Sequence, residues 1–200
     1  AIPQGAAEQR LASLMFNQML SNVIYTSRFI ISCNIDIIKL FVEQWKGNFI
    51  PSKKIILDMI SYDETRSSAK INRMTGLQLL GILVANGLPF YDSVNDKSIS
   101  EAQLLNFVSR NLLHSSKEVY CTAAEVCGLV FKHEGESGDL SKLITTNLNS
   151  SYASGDSTRF LNCLQAISKH CSTFLDHFYI KIFAILPKLV GPFRVLGYVN

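Results

Sequence analysis

The chain carries little charge of either sign. Charged residues make up 18% of its 200 positions and the formal net charge is +3. That balance is too small to define a nucleic-acid or membrane surface, which strongly basic domains announce. A long hydrophobic run is also missing: residues 79–85 form one of the longest, far short of the ~20 needed to span a bilayer. The start, Ala1-Ile2-Pro3-Gln4, shows no basic region followed by an apolar stretch, so no signal peptide is read there. A fragment of a longer protein is the expected source. Five cysteines, Cys33, Cys121, Cys127, Cys163 and Cys171, form an odd set without a Cys-x-x-Cys pair. Most fall within apolar helical patterns, where free cysteine acts as a small buried hydrophobe, and a reducing compartment, cytosol or nucleus, is expected. The single sequon, Asn149-Ser150-Ser151, is short enough to arise by chance and does not outweigh this.

The usual signatures of chemistry are missing too. His114, His133, His170 and His177 lack the His-x3-5-His spacing of a zinc site, and with Cys163 and Cys171 they form only a sparse set. His133-Glu134 has no histidine three residues on, so the zinc-protease helix signature fails. There is no nucleophile elbow, P-loop or dinucleotide-binding glycine pattern, and none of the glycine-rich, His-Arg-Asp or Asp-Phe-Gly elements of a protein kinase. Carboxylates are scattered and fall mostly where helix caps and dipoles explain them. No catalytic, cofactor-binding or metal-ligating residue is assigned.

What remains is helix. Hydrophobic residues make up 48% of the chain, and they recur at helical rather than alternating spacing. The most informative stretch is 76–92, apolar on nearly every side and stopped by Gly87 and Pro89. A helix without a polar face must be covered by protein on several sides. Gly76 and Gly81 within it each cost about 1 kcal/mol relative to alanine, which close helix packing repays. Leu11, Leu14, Met15 and Met19 mark a first helix. Ile30, Ile31, Ile37, Ile38, Phe41, Val42 and Trp45 mark a second, closed by Gly47, with Trp45 read as core. Pro51 opens a third with Ile55, Ile56, Met59 and Ile60. Ser98 with Glu101, and Ser115 with Glu118, read as capping boxes for two more helices. The first carries Leu104, Val108 and Leu112; the second carries Val119, Ala123, Val126, Cys127, Val130 and Phe131. Asp139 and Asp156 open further helices with Leu140, Leu143, Ile144, Leu148 and with Phe160, Leu161, Leu164, Ile167. A last helix runs over 173–186, broken at Pro187.

About nine helices joined by short polar turns imply antiparallel neighbours. Pairs recur at roughly forty residues, the spacing of HEAT or armadillo repeats. The expected fold is all-α, with antiparallel helix pairs stacked as a HEAT/armadillo-like α-solenoid over residues 1–200 as one segment; a compact helical bundle is the alternative. Segments 61–72 and 133–138 are expected to be mobile loops. The first holds Arg66 and Lys70, with Arg73 just beyond and Lys53-Lys54 before it. Arg66, Lys70 and Arg73 are candidates for phosphate contact on DNA or for docking an acidic partner. A solvated connection is the plainer reading, since no stacking aromatics or long basic stripe accompany them.

Three stretches carry a family resemblance. They are Ile35, Ile37, Ile38, Lys39, Val42, Glu43, Trp45 and Lys46; the run from Gly76 through Ile82 with Ala85, Asn86, Leu88, Pro89, Tyr91 and Asp92; and Lys117 to Tyr120 with Ala123, Ala124, Glu125, Val126, Gly128 and Leu129. Leu186-Pro187-Lys188-Leu189 extends the match. In order and spacing they resemble the central HEAT-repeat region of the DNA-dependent branch of the phosphatidylinositol-3-kinase-related kinase family. The resemblance implies a nuclear parent that phosphorylates serine and threonine with ATP and magnesium. It also implies recruitment by the Ku heterodimer to broken DNA ends during non-homologous end joining. None of the ATP-binding or catalytic motifs has a counterpart here, and no Ser-Gln or Thr-Gln pair marks a phosphorylation region. The expected role is a non-catalytic scaffold segment; a helical-repeat protein-interaction adaptor unrelated to a kinase is the alternative.

Overall fold

The structure is a computed structural model and describes residues 5–51, 53–61, 69–88, 101–136 and 138–189. Among them lie nine α-helices and one 3-10 helix, with no strand: α1 (Ala6–Ser21), α2 (Arg28–Trp45), α3 (Lys53–Ile60), α4 (Ala69–Ala85), α5 (Glu101–Leu112), α6 (Lys117–Glu134), α7 (Asp139–Ala153), α8 (Ser157–Ser168), the 3-10 helix Ser172–Phe178 and α9 (Tyr179–Leu189). The helices form two layers. The even-numbered α2, α4, α6 and α8 lie side by side in one, and α1, α3, α5 and α7 form the other. Each odd helix packs on the even helix that follows it, so four antiparallel hairpins are stacked in chain order. The fold is an all-α solenoid, and stacking rather than bundling is how the chain buries its apolar faces.

α4 sits in the middle because it has no polar face to expose. Leu77, Leu79, Leu80, Leu83 and Val84 are each 1% exposed or less, covered by α3 in the other layer and α6 beside it. Its end is a Schellman motif: Gly87 at φ +77° lets its N–H reach the Val84 carbonyl (2.9 Å) while Leu88 N–H reaches Leu83 (3.0 Å). α6 is the second central helix. Val119, Ala123, Val126, Cys127, Val130 and Phe131 are all buried, as its sequence spacing requires. At the end of the stack Phe131 stacks on Phe174 with ring centroids 4.9 Å apart, and Phe160 meets Phe178 edge-on at 5.7 Å. These rings hold the 3-10 helix onto α6 and α8.

Several expectations need correction. α1 buries Ala12, Phe16 and Leu20, whereas Leu11, Leu14 and Met15 are 58%, 59% and 45% exposed. The helix carries two apolar stripes; the one with Ala12, Phe16 and Leu20 is buried, while Met15 of the other borders a cleft with Ile37 and Ile38 of α2. Trp45, read as core, is half-buried: it packs on Phe41, ring centroids 4.3 Å apart, against the edge of the core. The cap of α6 is Ser116, not Ser115; its hydroxyl donates to Glu118 at 2.5 Å instead of capping a backbone N–H. The last expected helix is two elements, the 3-10 helix and α9, and Pro187 lies inside α9 in its final turn. There its missing N–H deprives only Phe183, on the exposed side, of a bond. The expected loop 61–72 is helical from Ala69 onward; Arg66 and the rest of 62–68 lie outside the described residues, as does the Ser98 cap.

The glycines also differ from expectation. A Cβ on Gly81 would stand 3.5 Å from Leu129 Cδ1 and 3.6 Å from Val126 Cγ2, an ordinary contact. A Cβ on Gly76 would meet Ile60 Cγ1 and Met59 Cβ at 2.9 Å and the Ile56 carbonyl at 3.0 Å. On Gly128 it would stand 2.6 Å from the Ile167 carbonyl oxygen and 3.0 Å from its Cα, and backbone cannot yield as a side chain can. The close approaches are therefore α3 on α4 at Gly76 and α6 on α8 at Gly128. In thermal melts Gly128→Ala should destabilise most, by about 2–3 kcal/mol, with Gly76→Ala next. Gly81→Ala should be neutral or stabilise by up to about 1 kcal/mol through helix propensity. A Gly128→Ala protein that melts with the parent would overturn this ordering.

Candidate interaction surface

The basic residues picked out from sequence do not share one exposed loop. Lys70 lies in the first turn of α4, where its ammonium pairs with Glu118 of α6 at 3.0 Å. Arg73 is one turn further on and only 7% exposed. Its guanidinium donates to Asn111 Oδ1 at 3.3 Å, and Asn111, fully buried, donates in turn to the Phe107 carbonyl at 2.8 Å and the Ile60 carbonyl at 3.5 Å. Arg73 is thus part of a buried polar knot joining α3, α4 and α5.

Across the even layer the charges run in a cross-helix ladder. Glu118 and Glu125 lie seven residues apart on one face of α6. Lys70 reaches Glu118 from α4, while Lys169 (3.4 Å) and His170 (3.3 Å) reach Glu125 from the end of α8. The Ser116 hydroxyl, the backbone N–H of Glu118 itself and Lys70 hold the Glu118 carboxyl down to about 2. A depressed carboxylate stabilises the fold above its ordinary value and loses that contribution as pH falls toward 2.

Between α2 and α6 the outward stripe of α4 floors a groove. Its two clefts, of about 370 and 480 Å³, share Ile35 and Gln78. The lining is apolar along Ile71, Met74 and Ile82, and the rims carry charges of both signs, including Arg28, Asp36, Lys39 and Glu125.

A second polar cluster was not legible in the sequence. Glu136, between α6 and α7, accepts from the Cys171 thiol (2.9 Å), from the Thr173 hydroxyl and from His177 Nε2 (3.1 Å). The Cys171, Thr173 and then His177 contacts hold its carboxyl below the usual range, against partial burial. One carboxylate thereby fixes three residues in and beside the 3-10 helix, and the contribution fades as pH falls through the lowered value. The five cysteines are free. Burial pushes Cys163 up to about 12 and Cys127 higher still, so neither is poised as a nucleophile. Among the described residues no three His, Cys, Asp or Glu side chains could hold a metal ion, and no helix is long and apolar enough to cross a membrane.

A two-layer helical stack whose polar clusters tie helix to helix defines a member of the α-solenoid class of repeat proteins. Comparison with known proteins narrows this. The model of the family described as DNA-PKcs, CC5 matches residues 13–198, and the chain belongs to that family. It is 32% identical to the DNA-dependent protein kinase catalytic subunit of Dictyostelium discoideum over 96% of this chain. It is 30% identical to the Mus musculus protein of the same name over 98%, and 29% identical to that of Xenopus laevis over 96%. In each case the chain spans about 5% of the relative's length.

The two basic residues separate by burial. Arg73→Met should lower stability by about 1–3 kcal/mol, since Asn111 loses a buried charged partner. Lys70→Ala should leave the melting temperature essentially unchanged, as an exposed pair contributes little. Equal melting temperatures for the two variants would contradict the buried knot.

Proposed function

We propose that this chain is a non-catalytic HEAT-repeat scaffold segment of a DNA-dependent protein kinase catalytic subunit-like serine/threonine kinase. Its parent acts in the nucleus, in repair of DNA double-strand breaks by non-homologous end joining. The observation that carries the reading is a helical stack whose described residues leave apolar side chains exposed at both ends, in a chain matched to about one twentieth of much longer kinase relatives. At one end Leu11, Leu14, Ile37 and Leu40 are 55–59% exposed; at the other Tyr179, Ile180 and Phe183 are 57–67% exposed. Apolar faces of this kind are what adjoining repeats cover in a solenoid. The direct partner is accordingly the rest of the parent kinase. Ku and DNA ends are partners of the parent, and ATP and magnesium belong to its kinase domain. Family membership removes support from the adaptor unrelated to a kinase.

The test compares one variant in two settings. Ile180→Asp with Phe183→Asp should leave the melting temperature of the isolated chain within about 2 °C of its parent's, because both side chains are already in water. Placed in the full-length kinase, the same pair should destabilise the region around it and lower the yield of folded enzyme. Purified chain should transfer no labelled phosphate from ATP to a peptide. A neutral pair in the full-length kinase, or transfer by the chain alone, would sink the scaffold reading.

A further inference from the structure

The seams between neighbouring hairpins are not alike. From α4 onward they are pinned by directional contacts. Arg73 of α4 donates to the buried Asn111 of α5 at 3.3 Å and His170 reaches Glu125; Asn162 donates to the Tyr120 hydroxyl at 3.2 Å, and Asn147 to Ser109 at 3.3 Å. At Gly128 the backbones of α6 and α8 nearly touch. Each such contact fixes both distance and orientation.

α2 has none of these. Among the described residues its side-chain bonds stay inside its own hairpin: Asn34 donates to the Val23 carbonyl at 3.4 Å, and Lys39 pairs with Glu43 at 3.8 Å. No hydrogen bond or ion pair joins it to α4 or α6. It borders α4 with the apolar side chains Ile31 and Ile35, beside Ile71 and Met74, whose attraction is non-directional. Solvent enters on the open side of this contact through the two clefts along Ile35 and Gln78. A third cleft, about 530 Å³, lies between α1 and the 47–51 connection. That connection belongs to the same hairpin: Phe49 packs against Phe16 and Phe41, and the Ile50 N–H donates to the Ser13 hydroxyl at 3.0 Å.

We infer that the solenoid bends at this seam, the α1–α2 hairpin swinging as a unit against the body formed by α3 to α8. An apolar contact without hydrogen bonds lets packed helices slide, while the pinned seams keep the body rigid. The swing opens and closes the groove above α4, so it couples the orientation of one end of the segment to the shape of its surface. The bend follows from packing alone and does not depend on the scaffold role.

Spin labels measure it directly. In a chain carrying Cys33→Ser and Cys121→Ser, one pair is placed at Lys39→Cys and Thr122→Cys, from α2 to α6. The control pair, Gln78→Cys and Gln165→Cys, runs from α4 to α8 across the same number of helices. Electron–electron double resonance should give a distance distribution about twofold wider for the first pair, as expected of hinge rather than local side-chain motion. Gln78→Leu, which sets an apolar side chain facing Ile35 in both clefts, should narrow the first distribution. Equal widths for the two pairs would overturn the inference. So would a wide first distribution that Gln78→Leu leaves untouched, since the motion would then lie elsewhere.

Discussion

A helix with no polar face constrains everything around it. Leu77, Leu79, Leu80, Leu83 and Val84 leave α4 only a narrow stripe around Gln78 open to water, so the chain must bring other helices to it from several directions. α3 supplies one cover and approaches closely enough that only glycine fits at position 76. α6 supplies another, lying against Gly81 at ordinary contact distance, and α2 closes part of a third. Once α4 is enclosed in this way, α6 is held in the centre too, and the same logic passes on to α8 through Gly128. Two layers of helices are the solution that lets each central helix be covered without any of them being isolated.

Apolar burial sets which faces meet, and the polar residues set how they meet. Asn111 and Arg73 sit inside the junction of α3, α4 and α5, where an unpaired group would be costly, so the three helices have one satisfactory arrangement there. Glu136 does the same for the 3-10 helix, collecting donors from Cys171, Thr173 and His177. Glu118 and Glu125 bind α4 and α8 to α6 at the surface. The α2 seam lacks any such device, which makes it the compliant joint of the stack. A helical stack built of stiff and compliant seams in series can keep its layers and still change its curvature.

The helices, their order and most of the core could be read from the amino acids, because periodicity and local stop signals are short-range properties. The buried set of α6 and the Gly87 stop of α4 are read directly from spacing. Which of two apolar stripes turns inward is not a local property. Leu11, Leu14 and Met15 marked α1 by their spacing, yet they are exposed while Ala12, Phe16 and Leu20 are buried. Arg73 looked like a loop cation because the start of α4 carries polar residues; its partner Asn111 lies thirty-eight positions away. Gly81 and Gly128 are alike on paper, and only the crossing of α8 over Gly128 tells them apart. Glu136 gave no signal at all, since its three donors are more than thirty residues downstream. Family membership was legible through resemblance, carried by stretches such as Lys117 to Tyr120, and the family model over 13–198 shows it.

Native-state hydrogen exchange tests most directly whether the stack depends on the enclosure of α4. Amides of residues 77–84 should exchange only through global unfolding, with protection matching the full unfolding free energy. Those of α1 and α9, each covered on one side only, should exchange through smaller openings well below that limit. If α4 exchanged through a partial opening while α5, α7 and α8 stayed protected, the stack would be held together elsewhere and the account built on α4 would be contradicted.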